Sequence, residues 1–129
     1  MRYLLIVIFL EVLNASTVRF LTYNLLNYED ENNREDDYVM ILDLVEPDLI
    51  IAQEIIGQTG YSHFKSDVLD VLEPNIWSSA PFTNQSAQQD IALYYKSNIF
   101  TFVGTNVVYT AQSSGTRDVI EWVMLHNLS

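Results

Sequence analysis

Four consecutive apolar residues, Leu49-Ile50-Ile51-Ala52, stand between Pro47-Asp48 and Gln53-Glu54. A strand with one wet face alternates apolar and polar residues. A short unbroken apolar run bounded by turn and polar residues is expected of a strand covered on both faces. This run therefore calls for a sheet with protein layered on each side of it.

The flanking sequence supplies those layers. Val18, Phe20 and Thr22 alternate with Arg19, Leu21 and Tyr23, which predicts a strand over Thr17–Asn24. Tyr38–Glu46 reads as a short helix with Tyr38, Ile41, Leu42 and Val45 on its inner face, ended by Pro47. A second helix is expected over about Tyr61–Leu72, with Phe64, Val68 and Val71 or Leu72 inward, before Pro74. Ser78–Gln89, rich in Ser, Asn and Gln, reads as a loop. Asp90–Lys96, Phe100–Tyr109 and Asp118–His126 read as three strands. With 129 residues and no internal repeat, the chain holds one layered α/β domain.

The first sixteen residues stand apart. Met1-Arg2 supplies a positive start, Tyr3–Leu10 is an apolar run and Asn14-Ala15-Ser16 offers small residues for cleavage. This pattern predicts a secretory signal peptide over 1–16 and a secreted or periplasmic protein, the other reading of the apolar run being a buried first strand. The run falls short of the roughly 20 residues that cross a bilayer, so an integral membrane protein is not expected.

Charge and residue usage narrow the chemistry. Six basic and seventeen acidic residues leave a formal charge of −11. Such a surface repels polyanions and lacks the basic footprint of a duplex DNA binder. Without cysteine, disulfides, thiolate metal sites and cysteine nucleophiles are all excluded. Asn27–Asp37 holds six carboxylates and one arginine, but not the alternating ligands and central glycine of a calcium-binding EF-hand loop. It reads as a solvated loop whose Asp36 and Asp37 suit a helix N-terminus.

Candidate functional residues fall at strand ends. Asn24 closes the first strand and Glu54 the central apolar run. In open α/β folds the carboxyl ends of strands face the ligand crevice. There a carboxylate and an amide oxygen suit a hard cation such as Mg²⁺ or Ca²⁺. Both residues also have plain structural readings, Asn24 as a turn cap and Glu54 as the first solvated residue after a buried strand.

These segments resemble the endonuclease/exonuclease/phosphatase (DNase I-like) superfamily. Thr22-Tyr23-Asn24-Leu25-Leu26-Asn27-Tyr28 is similar to its opening strand motif, and Pro47-Asp48-Leu49-Ile50-Ile51-Ala52-Gln53-Glu54 to its "P-D-hydrophobic run-Q-E" motif. Asp90-Ile91-Ala92-Leu93-Tyr94-Tyr95-Lys96 is similar to the next inner strand. Thr116-Arg117-Asp118 resembles the place where members carry a phosphate-facing arginine. In order, these matches span residues 18–126.

The resemblance implies a four-layer α/β-β/α sandwich of which residues 17–129 form the N-terminal, incomplete part. It also implies divalent-metal-dependent hydrolysis of phosphoesters, with Mg²⁺, or else Mn²⁺ or Ca²⁺, as the metal. The substrate would be a nucleic acid, a nucleotide or a lipid or sugar phosphate; no stable protein partner is implied. By the same resemblance Glu54 is the principal metal ligand, Asn24 the amide that helps hold metal or phosphate, and Arg117 a phosphate contact. Arg117 could equally form a surface pair with Asp118. His126, in phase with Ile120, Trp122 and Met124, matches either the family's catalytic "L-H" strand end or an edge residue of a hairpin. His63, beside Phe64 and Lys65, reads as a surface residue.

The family's later "G-D-x-N" and "D-H" motifs do not occur. The expectation is therefore a truncated hydrolase that is inactive alone. The alternative is a degenerate, non-catalytic secreted binding module of the same fold.

Overall fold

The computed structural model describes residues 17–29, 33–84, 89–108 and 118–127. The predicted signal peptide lies outside the described residues.

The structure is mixed α/β with two sheets. Strand β1 (Phe20–Tyr28) leads through helix α1 (Glu35–Val45) to β2 (Leu49–Ile55), which pairs parallel to it. Helix α2 (Gly57–His63) continues into a π-helical stretch, Phe64–Leu69, and three further α-helical residues, Asp70–Leu72. Strands β3 (Trp77–Ser79) and β4 (Asp90–Lys96) complete a four-stranded sheet in the order β1-β2-β4-β3. Strands β5 (Phe100–Val108) and β6 (Val119–His126) form a separate antiparallel hairpin.

The central run behaves as its sequence demands. Ile50 and Ala52 enter a cluster with Tyr38, Leu42, Phe64 and Val68 from the helices. Leu49 and Ile51 enter a second cluster with Phe100, Phe102, Trp122 and Met124 from the hairpin. Protein thus covers β2 on both faces. Towards the edge the hairpin layer thins out, and Phe20 on β1 is 66% exposed.

Element boundaries depart from the sequence reading for identifiable reasons. Helix α1 starts three residues before Tyr38, because Glu35, Asp36 and Asp37 complement the positive end of the helix dipole. It ends at Val45, where Glu46 turns left-handed and donates its N–H to the Leu42 carbonyl. Only Tyr38 and Leu42 are buried along α1, while Ile41 and Val45 flank the contact and stay exposed. In the second helix the wider π turn advances the phase, so Leu69 joins Phe64 and Val68 in the core and Val71 faces out. The predicted loop over 78–89 begins as strand β3, since Ser78 and Ser79 pair with Tyr95 and Tyr94.

Candidate functional site

Strands β1 and β2 run parallel in the register Phe20↔Leu49 through Asn24↔Gln53. Regular pairing stops there and marks a rim: Asn24, expected to close the first strand, stands midway along β1, one residue out of register with Glu54, the penultimate residue of β2. Paired strands lie about 4.8 Å apart. Strand β4 is antiparallel, so its first residue, Asp90, reaches the same rim opposite Ile55.

The rim is built from two irregularities. After Asn24↔Gln53 the next pair is Tyr28↔Ile55, so three residues of β1 stand against one of β2. Leu26 and Asn27 take φ of 52° and 57°, and Glu54 takes 58°. An L-residue in this left-handed region costs about 1–2 kcal/mol. The gain is visible in the packing. Regular alternation after Ile50 and Ala52 would aim residue 54 at the helix-facing core, but Ile55 fills that place and is fully buried. The left-handed turn keeps the Glu54 carboxylate out of an apolar cluster, where an unpaired charge is costly. On β1 the same device puts Tyr28, rather than residue 27, into the core.

Asn24 is oriented by its own turn, because its Oδ1 accepts the Leu26 N–H at 2.8 Å. That is the turn-capping role open to it from sequence. It leaves the amide NH₂ and the second Oδ1 lone pair for other partners. The Leu25 and Leu26 carbonyls, turned out of the β ladder, accept from Arg34 Nη1 at 2.9 and 3.0 Å. The Tyr38 hydroxyl also donates to the Leu25 carbonyl, at 2.9 Å. The Asn27 side-chain oxygen accepts from the Gln89 amide. Across the rim, Asp90 is 1% exposed and its Oδ2 accepts the Gly57 N–H at 3.1 Å, tying the loop after Glu54 to β4.

A hollow of about 290 Å³ opens beside Asn24, lined by Tyr23, Leu26, Arg34, Asp37, Tyr38 and Ile41. Burial raises the Tyr23 phenol above its ordinary pKa, and Asp37 adds to the shift while Arg34 opposes it. Burial also raises the Tyr28 phenol, which donates to Glu35 at 2.9 Å. Both are neutral donors at physiological pH. A larger hollow of about 420 Å³ lies at the other end of the sheet, around Arg19, Asp48, Glu73 and Lys96. Its cations are engaged by Glu46 and Glu73, at 2.5 and 2.9 Å. It shares no residue with the Asn24–Glu54 rim.

Of the remaining predicted positions, His126 and His63 are not brought to this rim. Arg117 lies outside the described residues. His126 pairs with Phe100 across the hairpin and packs its ring 5.7 Å from that phenyl, while Phe100 in turn lies 6.1 Å from Phe20. Phe20 opens β1 and Asn24 stands four residues further along it, so His126 is at the far end of the sheet. It behaves as the edge residue of a hairpin. His63 accepts the surface role, with Nδ1 2.8 Å from Asp67.

Sequence reasoning missed Asp90 and Arg34. A carboxylate directly ahead of the apolar run Ile91-Ala92-Leu93 was a usable signal for Asp90. Arg34, inside an acidic stretch, gave none.

Among the described residues, no three His, Asp or Glu side chains converge to hold a metal. Glu54 and Asn24 offer one carboxylate and one amide oxygen. Those donors match a hard cation in kind, and Mg²⁺ commonly keeps several waters beside one or two carboxylates.

No family model and no curated protein matches the chain. Among solved structures it is similar to the human Nocturnin catalytic domain with bound sulfate anion, with a TM-score of 0.50 and 15% identity. The likeness covers 77% of this chain and 39% of that one, so the chain spans about two fifths of that neighbour's length. At this identity what is shared is the fold, a mixed α/β arrangement compatible with part of a DNase I-like domain.

Proposed function

We propose that this chain is the N-terminal part of a secreted or periplasmic, divalent-metal-dependent phosphoester hydrolase of the DNase I-like four-layer type. The observation that carries the reading is the register that sets Asn24 opposite Gln53, next to a left-handed Glu54, where regular pairing of the parallel strands stops. Further support comes from the shared fold with a catalytic domain that holds sulfate, a tetrahedral oxyanion of the size of phosphate.

In this reading Glu54 holds Mg²⁺, Mn²⁺ or Ca²⁺, with Asn24 Oδ1 as a second donor. The cation, when bound, offsets charge on the phosphate oxygens. The Asn24 NH₂ donates to a phosphate oxygen, because its Oδ1 is directed by Leu26 N–H. Asp90 holds the Gly57 N–H and so keeps the segment after Glu54 in place. The formal charge of −11 favours small phosphoesters over long polyanions.

The test is release of p-nitrophenol from bis(p-nitrophenyl) phosphate by the full chain with Mg²⁺ or Mn²⁺. Calorimetry of Mn²⁺ binding runs beside it. Glu54→Gln should lower turnover by on the order of 10²-fold, as removal of a principal charge-stabilising group does, and weaken Mn²⁺. Measurable turnover that is equal in wild type and Glu54→Gln, or equal Mn²⁺ binding in the two, rejects the role given to Glu54. Mn²⁺ binding lost in the variant, with no turnover in either protein, keeps Glu54 as the metal ligand of a chain that is inactive alone.

A further inference from the structure

We infer that Arg34 is the positioning residue of this rim, holding the β1 bulge that aims the Asn24 amide. The inference rests on the function proposed above for Asn24, but it is carried by separate contacts.

The bulge removes Leu25 and Leu26 from the pairing between β1 and β2, so their carbonyls need other donors. One guanidinium nitrogen serves both, at 2.9 and 3.0 Å. The guanidinium carbon lies 5.7 Å from the Tyr28 ring centroid and 5.8 Å from that of Tyr38, two rings that meet edge-on. A planar cation between two ring faces has little freedom to swing. Arg34 also precedes the first turn of α1, with its own N–H donating to Glu35 at 3.1 Å. Glu35 accepts the Tyr28 hydroxyl, so the residue that closes the bulge is tied to the same helix end.

The consequence reaches Asn24 through one link. Its Oδ1 is directed by the N–H of Leu26, and Leu26 is the residue whose carbonyl Arg34 holds in a left-handed conformation. Release of that carbonyl lets residue 26 relax to an ordinary backbone angle, its N–H turns away and the Asn24 amide loses its fixed rotamer. Misplacement of about 1 Å at such a group can cost about 10²-fold in rate. The Leu26 N–H shares a peptide unit with the Leu25 carbonyl, which Arg34 holds together with the Tyr38 hydroxyl, and Arg34 also holds the Leu26 carbonyl that follows.

The experiment compares Arg34→Met and Arg34→Lys in the wild-type and Asn24→Ala backgrounds, each kept below its melting temperature. The side-chain amide signals of Asn24, read by NMR, report its rotamer without any need for turnover. In wild type the two NH₂ protons should be well dispersed. In Arg34→Met they should collapse towards free-asparagine shifts, and added methylguanidinium should restore part of the dispersion. With bis(p-nitrophenyl) phosphate, Arg34→Met should lower kcat by about 10- to 100-fold with KM changed about twofold or less. The same substitution should have no further effect once Asn24 is alanine. Unchanged Asn24 signals in Arg34→Met, or an equal fold-loss in both backgrounds, overturns the inference. Should Arg34→Met not fold, Arg34→Lys is read by the same signals. Lysine keeps the charge but loses the planar fork, and dispersion equal to wild type in it also counts against the inference. If Glu54→Gln proves as active as wild type, the functional reading falls while the NMR comparison still decides the role of Arg34.

Discussion

Glycine should be a better residue than alanine at position 54, the reverse of its rank in an ordinary strand. Glu54 has φ of 58° near the end of β2, at the position both neighbouring strands skip in register. A side chain with a Cβ pays about 1–2 kcal/mol to stay in that region, and glycine escapes the penalty. Glycine returns about 0.4–1 kcal/mol through the greater freedom of the unfolded chain. The difference leaves Glu54→Gly about 0.5–1 kcal/mol more stable than Glu54→Ala. For a domain of this size that is roughly 2–6 °C in Tm. At Gln53, one residue earlier and in regular register with Asn24, the order should invert, with alanine ahead by about 0.5–1 kcal/mol. Urea and thermal melts of the four variants decide this, with Mn²⁺ calorimetry on the Glu54 pair to show that both have lost the carboxylate's contribution. The reasoning is refuted if alanine equals or exceeds glycine at position 54, because the left-handed turn would then not be what holds the carboxylate out of the core.

Two other outcomes follow from the packing. A Cβ built on Gly60 would sit 2.3 Å from the Tyr28 carbonyl oxygen, which already accepts the Ile56 N–H. Gly60→Ala should destabilise by about 1–3 kcal/mol, measured by urea melts, and a neutral result would mean that α2 docks more loosely on the bulge. In alkali, burial holds the Tyr28 and Tyr94 phenols protonated above their ordinary pKa, so the folded chain binds more protons than the unfolded one from about pH 10 upward. Stability is therefore fully present below that pH and falls as pH rises, by up to about 1.4 kcal/mol per pH unit for each tyrosine. Melts at pH 9 and 11 should show a shallower fall for Tyr94→Phe, and an identical slope would contradict this.

From the sequence alone, the layered α/β class was legible because burial leaves a periodic mark. Leu49–Ala52 lacks any polar residue, and the observed β2 is indeed covered on both faces. The place of Glu54 next to the end of β2 was legible for the same reason, whereas Asn24, expected to close the first strand, lies midway along β1 at the last regular pair before the bulge. The tertiary structure decided what periodicity cannot encode. The register of β1 against β2, a pairing between residues some 29 apart, sets Asn24 beside Gln53, and the three-against-one bulge that follows runs past a left-handed Glu54. Arg34 sits within an acidic stretch that looks solvated, and its role appears only when its guanidinium reaches the Leu25 and Leu26 carbonyls. Local composition records which face of a strand is dry. Which residue meets which across the rim is settled by long-range packing, where hydrogen-bond satisfaction and burial outweigh local preference.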